Sequence, residues 1–120
     1  MSESIFHITS RQAWSAAQAR GQYTADSLAE AGFIHCSKSG QILRVANFLY
    51  EGQAGLVLLV VDPDRLASEL RWESGADLQS ELFPHVYGPL NLDAVVHVID
   101  FEPAVDGKFH LPESLETPGT

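Results

Sequence analysis

The sequence predicts a single α+β domain in which a mixed, antiparallel-rich sheet is flanked by helices. Two observations carry this prediction. Helical patterns lie mainly in the first half of the chain, before Gly52, whereas short β-branched runs dominate the second half. In addition, no glycine-rich turn follows the first predicted strand, although a doubly wound, flavodoxin-like fold would require one. That competing fold is therefore disfavoured.

The first half alternates strands with capped helices. From the N-terminus, the predicted elements are a strand at 4–9, a helix at 10–20, a helix at 25–31, a strand at 33–36 and a helix from about 38 to 50. Ser10 and Thr24 are placed to cap the first two helices. Gly21 and Gly32 are placed to end them.

The second half is richer in strands. The predicted elements are strands at 56–62, 70–73, 94–101 and 108–111, a polar loop at 75–81 and an irregular segment at 83–89. The run 56–62 is apolar on both faces, which predicts a central strand. Pro84 and Pro89 predict a rigid, irregular backbone between them. Residues 1–112 are expected to form the domain, and 113–120 a flexible C-terminal tail.

Composition narrows the classes of partner and the compartment. The formal net charge of −9 at pH 7 disfavours a long nucleic acid as partner, because the field of the protein repels a phosphate backbone. The single cysteine, Cys36, excludes an internal disulfide framework and favours a reducing, cytoplasmic location. The chain begins without a secretory pattern, and its longest apolar run is too short to span a membrane. Among the classes of partner, a small molecule or a nucleotide is therefore expected. The composition does not indicate the oligomeric state.

Two short segments, 5–10 and 32–37, share an unusual pattern. Each is an apolar, β-branched run with a histidine followed two places later by a hydroxyl residue: His7 with Thr9, and His35 with Ser37. Successive side chains of a strand alternate between its faces, so each pair shares a face. We therefore expect these four side chains to line one polar pocket. The alternative is that the histidines are satisfied core residues and the hydroxyls only cap helices.

Ser37 also stands just before the third predicted helix. The free amides and the positive dipole end there predict an anion site, which Lys38 and Arg44 would supplement. Cys36 points away from His35 and is expected to be a small buried residue and not a nucleophile.

Three further residues are candidates in the second half. His85 and Tyr87 lie in the proline-bracketed segment, where a rigid backbone can present functional groups. Glu73, beside a tryptophan, is a candidate carboxylate for acid–base chemistry or cation stabilisation. The ordinary alternatives are a structural corner and a surface strand residue. His7, His35 and His85 also invite a zinc site, although their spacing does not match a known ligand pattern.

The motifs resemble one protein family. They are Ile-Phe-His-Ile-Thr (5–9), Gly-Phe-Ile-His-Cys-Ser (32–37), Val-Ala-Asn-Phe-Leu-Tyr (45–50), Leu-Leu-Val-Val-Asp (58–62), Arg-Trp-Glu (71–73) and Phe-Pro-His-Val-Tyr-Gly-Pro-Leu (83–90). Together they resemble the bacterial family called domain of unknown function 952, from about Ile5 to Pro112. That family looks distantly similar to the ADP-ribosyltransferase fold, with the NAD-dependent RNA 2′-phosphotransferases as the closest analogy. Phe33 stands where those enzymes have the first histidine of a His-x-His-x-Ser strand, and the basic residues that grip RNA are sparse here.

The resemblance implies a split, antiparallel-rich sheet with a cleft between two half-sheets, and NAD as cofactor. It implies a cofactor-binding role for His7, Thr9 and Ser37, to which the residue patterns add Lys38 and Tyr87. The candidate catalytic residues are His35, Glu73 and His85; Glu81 is a second candidate carboxylate, and Tyr87 is an alternative for the same role. The first functional hypothesis is therefore a domain that binds or uses NAD or ADP-ribose, as a possible NAD-utilising transferase. The alternatives are a non-catalytic small-ligand or nucleotide-binding module and a metal-dependent hydrolase built on three histidines.

Overall fold

The computed structural model describes residues 3–74 and 81–112. The predicted tail and most of the predicted polar loop lie outside these residues. In chain order the elements are β1 (Ile5–Ser10), α1 (Arg11–Arg20), β2 (Gln22–Tyr23), α2 (Asp26–Ala31), β3 (Ile34–His35), α3 (Ile42–Leu49), β4 (Leu56–Val61), β5 (Glu69–Ser74), β6 (Leu82–Tyr87), β7 (Leu90–Asn91) and β8 (Val95–Phe101). Short 3₁₀ turns lie at Ser39–Gln41, Pro63–Arg65 and Leu92–Ala94. None of the described helices is long and apolar enough to cross a membrane.

The strands form two three-stranded sheets and one two-stranded ribbon. The first sheet has the order β1–β4–β8, the second has the order β3–β6–β5, and β2 pairs with β7. All the strand pairs that the structure describes are antiparallel. The α+β class is thus confirmed, with antiparallel sheets and few helices. β4 is central in its sheet and buried along its whole length, as its apolar pattern predicts.

One isolated main-chain bridge joins the two larger sheets. Phe6 of β1 and Ser37, just after β3, form an isolated antiparallel bridge. The Phe6 amide donates to the Ser37 carbonyl at 2.8 Å, and the Ser37 amide donates to the Phe6 carbonyl at 2.7 Å. Beyond this bridge β1 and β3 diverge, and β1 continues its pairing with β4.

Two apolar clusters cover the opposite faces of the first sheet. Alternation along β4 assigns Val57, Leu59 and Val61 to one cluster and Leu56, Leu58 and Val60 to the other. The first cluster packs the first sheet against the second sheet and the ribbon, through Tyr23, Ile34, Cys36, Val86 and Leu90. The second packs it against α3 and the C-terminal segment, through Ile42, Ala46, Phe101 and Phe109.

Local signals located α1 and α2 well, whereas the helix predicted from about 38 to 50 is α-helical only over Ile42–Leu49, after the 3₁₀ turn Ser39–Gln41. The Ser10 side chain accepts a hydrogen bond from the Ala13 amide at 3.0 Å, so the predicted cap of α1 is confirmed. Gly21 and Gly32 end α1 and α2 with φ of 91° and 90°, a conformation that favours glycine. The cap predicted at Thr24 is wrong: Ala25 precedes α2, without a side-chain hydrogen bond.

The segment predicted to be irregular, 83–89, is mostly strand β6, which lies at the centre of its sheet. Proline is tolerated there because Pro84 still accepts a hydrogen bond from the Cys36 amide, at 3.0 Å. Proline has no main-chain N–H. In this register the missing N–H would face the Cys36 carbonyl, which lies beyond the end of the two-residue strand β3, so no hydrogen bond within β3 is lost. In contrast, the strand predicted at 108–111 is not formed. Phe109 is held instead by its amide, which donates to the Asn47 side chain at 2.7 Å.

Truncation of Leu58, which is 0% exposed, should test this arrangement of the core. We expect Leu58→Ala to lower the free energy of unfolding by about 2–5 kcal/mol, because it removes buried methyl groups and leaves a cavity. The control Val98→Ala, at a position 42% exposed on the neighbouring strand, should cost less than about 1 kcal/mol. Urea denaturation measures both. Equal losses for the two variants would contradict the assignment of the core.

Candidate functional site

One face of the second sheet carries polar and aromatic side chains, and we call it the imidazole face. It consists of the side chains of Phe33, His35, Arg71, Glu73, His85 and Tyr87. The register aligns His35 with His85 and His85 with Arg71, so these three form a row across β3, β6 and β5. The opposite face of the same sheet carries Ile34, Val86 and Leu70, which pack into the first apolar cluster. Strand alternation thus separates a core face from a polar face.

Glu73 is held by two donors on this face. The His85 Nδ1 lies 2.8 Å from the Glu73 Oε1, and the Tyr87 hydroxyl donates to the same oxygen at 2.6 Å. A carboxylate only accepts, so the His85 Nδ1 carries the proton of that bond. The hydrogen bond from Tyr87, followed by that from His85, lowers the pKa of Glu73 below its usual value. Glu73 is therefore ionised at neutral pH, and the carboxylate in turn raises the pKa of Tyr87.

An aromatic wall stands beside this carboxylate. The Phe33 ring stacks on the His85 ring with a centroid separation of 4.0 Å and an interplanar angle of 18°. It also lies 4.7 Å from the His35 ring and 5.2 Å from the Tyr87 ring. The Arg71 guanidinium carbon lies 4.4 Å from the centroid of the Tyr87 ring, a cation–π contact. The imidazole face thus combines aromatic rings with one carboxylate, Glu73, and one guanidinium, Arg71, in close proximity.

The His35 imidazole has a different environment from that of His85. It is exposed, whereas His85 is 4% exposed. Its ring nitrogens make no side-chain hydrogen bond to any residue that the structure describes. Partial burial, followed by the nearby His85, lowers the pKa of His35. His35 is therefore a neutral imidazole at pH 7, able to accept a proton or a hydrogen bond.

His7 lies on the other side of β3, in the gap between the two sheets. Its Nδ1 lies 2.6 Å from the His35 main-chain carbonyl oxygen, and its Nε2 lies 2.7 Å from the Tyr23 hydroxyl oxygen. The Tyr23 and Thr9 hydroxyl oxygens are 2.9 Å apart. Burial lowers the pKa of His7 to about 4 and raises the pKa of Tyr23 to about 12. All three side chains belong to the interior framework.

The pocket expected from the two histidine segments is therefore not formed as predicted. His7 and Thr9 point into the core, and the side chain of His35 points away from it. The reason is that β3 uses Ile34 and Cys36 to cover the first apolar cluster, which leaves His35 on the outer face. Ser37 is buried, and its main chain forms the bridge to Phe6.

The anion site expected at the start of the third helix is also occupied by the chain itself. A 3₁₀ turn precedes α3, and the Gln41 side chain accepts from the Lys38 amide at 2.9 Å. The Glu81 carboxylate accepts from Gln41 at 2.8 Å and from both terminal nitrogens of Arg44, at 2.8 and 2.6 Å. Arg44 in particular lowers the pKa of Glu81 to about 2. Lys38 also helps to lower the pKa of Glu81, and it lines a small cavity with Leu70 and Trp72.

The geometry disfavours a three-histidine metal centre. Both ring nitrogens of His7 are engaged by protein groups, and its ring lies on the opposite side of β3 from those of His35 and His85. Within residues 3–74 and 81–112, no group of three His, Cys, Asp or Glu side chains could hold a metal ion. Burial raises the pKa of Cys36 to about 12, so its thiol is not a nucleophile at neutral pH.

Comparisons with known proteins identify the family of this chain. The family model described as "Protein of unknown function (DUF952)" matches residues 8–98. The chain belongs to the DUF952 family. A crystal structure of protein CC0527 from Caulobacter crescentus is 38% identical, with a TM-score of 0.81 over 93% of this chain and 97% of that chain. A solution NMR structure of CC0527 is 36% identical, with a TM-score of 0.76 over 88% of this chain and 90% of that chain. A search of curated proteins finds no significant match.

In this DUF952 chain, the structure gathers four of the predicted site residues on the imidazole face: His35, Glu73, His85 and Tyr87. His7 and Thr9 belong to the interior network, Ser37 is buried at the bridge to Phe6, and Lys38 precedes the 3₁₀ turn at Ser39–Gln41. Phe33, Arg71 and Tyr23 were not among the predicted site residues. The sequence did contain a signal for Arg71: it stands two residues before Glu73, and residues two apart in a strand share a face.

The buried His7 should leave a signature in acid stability. Because its folded pKa of about 4 lies below the usual 6.5, the unfolded state binds the proton more readily, and stability falls as the pH drops from 6.5 to 4. The difference corresponds to about 3 kcal/mol at roughly 1.36 kcal/mol per pKa unit. We expect His7→Gln to remove most of this slope in urea titrations, whereas His97→Gln, at an exposed position, should retain it. The same slope in both variants would contradict the assignment to His7.

Proposed function

We propose that the protein binds NAD or ADP-ribose on the imidazole face and, with NAD, cleaves the bond between nicotinamide and ribose. The observation that carries the proposal is the ionised Glu73, fixed by His85 and Tyr87 beside an aromatic wall. Both of its hydrogen bonds go to Oε1. Its Oε2 makes none to the described residues and is free to face a ligand.

The charge of this carboxylate matches the reactive part of NAD. The nicotinamide ring of NAD is a cation, and aromatic faces together with a carboxylate attract cations. When the bond to nicotinamide breaks, positive charge develops on the ribose ring. A carboxylate already held in place stabilises that charge without having to reorganise. Glu73 is therefore assigned this role.

The reaction balances with groups on the same face. The C1′–N bond breaks, and its electron pair returns to the nicotinamide nitrogen, which leaves as a neutral ring. The oxygen of water, or of an acceptor hydroxyl, forms a bond to C1′. The neutral His35 accepts the proton that this oxygen releases and passes it to solvent. The products with water are ADP-ribose, nicotinamide and one proton.

Arg71 supplies the positive charge that a pyrophosphate needs. With a net charge of −9, the chain repels polyanions at long range, so an anionic ligand requires a local cation. The Arg71 guanidinium lies over Tyr87 and pairs with the exposed Glu69 at 3.0 Å. A guanidinium can bind a phosphate through two parallel hydrogen bonds, and the ligand would replace Glu69 as its partner.

A non-catalytic module is the second candidate. One feature favours it: His85 and Tyr87 fix Glu73 through hydrogen bonds from within the protein, as a structural network would. Such a module would bind the same ligands and release no nicotinamide.

Substitution of Glu73 by glutamine should separate binding from bond cleavage. We expect Glu73→Gln to lower the rate of nicotinamide release by about 100-fold, as loss of one preorganised electrostatic group does elsewhere. Binding of ADP-ribose, followed by amide chemical shifts at 33–35, 71–73 and 85–87, should stay within about threefold of the wild type, because ADP-ribose lacks the cationic ring. Glu51→Gln serves as the control, since Glu51 pairs with Lys108 outside the site.

Two outcomes would change the conclusion. Binding of NAD by the wild type without any release of nicotinamide would favour the non-catalytic module. No shift with NAD, ADP-ribose or AMP at millimolar concentration, in a folded sample, would overturn the nucleotide proposal altogether.

A further inference from the structure

The main-chain carbonyl of His35 points away from its own sheet. In an antiparallel pair, hydrogen-bonded and non-hydrogen-bonded positions alternate. The Cys36 amide donates to Pro84, so Cys36 faces Pro84 at a hydrogen-bonded position. The neighbouring pair, His35 with His85, is therefore a non-hydrogen-bonded one. The main-chain amide and carbonyl of His35 therefore face away from β6, into the gap between the two sheets.

The gap leaves this carbonyl without a strand partner. The bridge between Phe6 and Ser37 carries hydrogen bonds in both directions, so continued pairing would next join Ile8 to His35. That bridge is isolated, and β1 diverges from β3 beyond it. The His7 side chain reaches across the opening, with its Nδ1 2.6 Å from the His35 oxygen. A side-chain donor thus replaces the missing hydrogen bond of the ladder.

The chemistry of these contacts fixes the tautomer of His7. A carbonyl only accepts, so the neutral ring must carry its proton on Nδ1. Its Nε2 is then an acceptor, and the Tyr23 hydroxyl, 2.7 Å away, must donate to it. The Tyr23 and Thr9 hydroxyl oxygens, 2.9 Å apart, form the next hydrogen bond of this network. Both ring nitrogens of His7 and the hydroxyl oxygens of Tyr23 and Thr9 therefore have partners.

We propose that His7 is a positioning residue for His35: by holding the His35 carbonyl in the gap between the sheets, it sets where the His35 imidazole lies on the imidazole face. The proposal deepens the proposed function and depends on it for its kinetic consequence. His7 is 8% exposed and lies behind β3, so it acts on the reaction through His35 and not by contact with the ligand. A small misplacement of a reacting group is enough to slow catalysis strongly.

Two amide substitutions separate the two ends of the His7 ring. Asparagine places its side-chain nitrogen near the position of Nδ1, so His7→Asn retains a donor to the His35 carbonyl. Glutamine reaches the position of Nε2, so His7→Gln retains only the contact with Tyr23. We expect kcat for nicotinamide release to fall about 10-fold or more in His7→Gln and to stay within about threefold in His7→Asn. KM for NAD should stay within about threefold in both.

The opposite kinetic results would overturn the proposal. Equal kcat losses in the two variants would mean that the contact with the His35 carbonyl has no special role. A rise of KM in both variants, with kcat retained, would mean that His7 contacts the ligand directly.

A second measurement needs no activity and so keeps this proposal apart from the proposed function. Nitrogen NMR of the His7 ring in the wild type should show the proton on Nδ1, and a proton on Nε2 instead would overturn the proposal. Proton titration of the His35 ring by NMR should give a lowered pKa in the wild type and in His7→Asn. In His7→Gln that pKa should return toward 6.5, because a displaced His35 is less buried and lies farther from His85. An unchanged His35 titration in His7→Gln would likewise overturn the proposal, even if the protein never cleaved NAD.

Discussion

The two large sheets share one antiparallel bridge, Phe6 with Ser37, and separate immediately beyond it. At such a fork, main-chain groups of the diverging strands lose their partners, and a buried polar group without one costs several kcal/mol (roughly 2–7). His7 resolves the fork by bonding to the His35 carbonyl on one side and to Tyr23 on the other. Burial of a histidine beside β4 is costly in itself. Here it satisfies the His35 carbonyl where the two sheets separate, so that the outer face of β3 can remain uncovered.

Two carboxylates, Glu81 and Glu73, belong to hydrogen-bond networks with different consequences. Glu81 is bound by Arg44 and Gln41, which joins the start of β6 to α3 and leaves that carboxylate little freedom for a ligand. Glu73 has the same charge, but its hydrogen-bond donors are a histidine and a tyrosine, and both bonds go to Oε1. The imidazole face therefore keeps a negative charge beside aromatic rings, the combination that favours a cationic group on a ligand.

The sequence predicted those elements whose signals are local. The serine cap of α1, the glycines that end α1 and α2, and the apolar run of β4 each depend on neighbouring residues only. β6 was missed because prolines signal irregular backbone. Whether a proline breaks a strand depends on where the missing donor would point, and here it points beyond the end of β3. The ribbon of β2 and β7 was missed for a related reason, since two residues per strand are too few for a visible alternation.

At the site, too, the sequence predicted what depends on neighbouring residues and missed what depends on tertiary packing. Alternation correctly grouped His7 with Thr9, and it separated His35 from Cys36. It does not say which face of a strand is covered, because that depends on the sheet in which the strand lies. β1 belongs to a sheet packed on both faces, so its histidine had to become a satisfied core residue. β3 is covered on one face only, so a histidine in a nearly identical local pattern stands on the open face. The two similar segments are therefore complementary: the first holds the backbone of the second, and the second presents its side chain to the site.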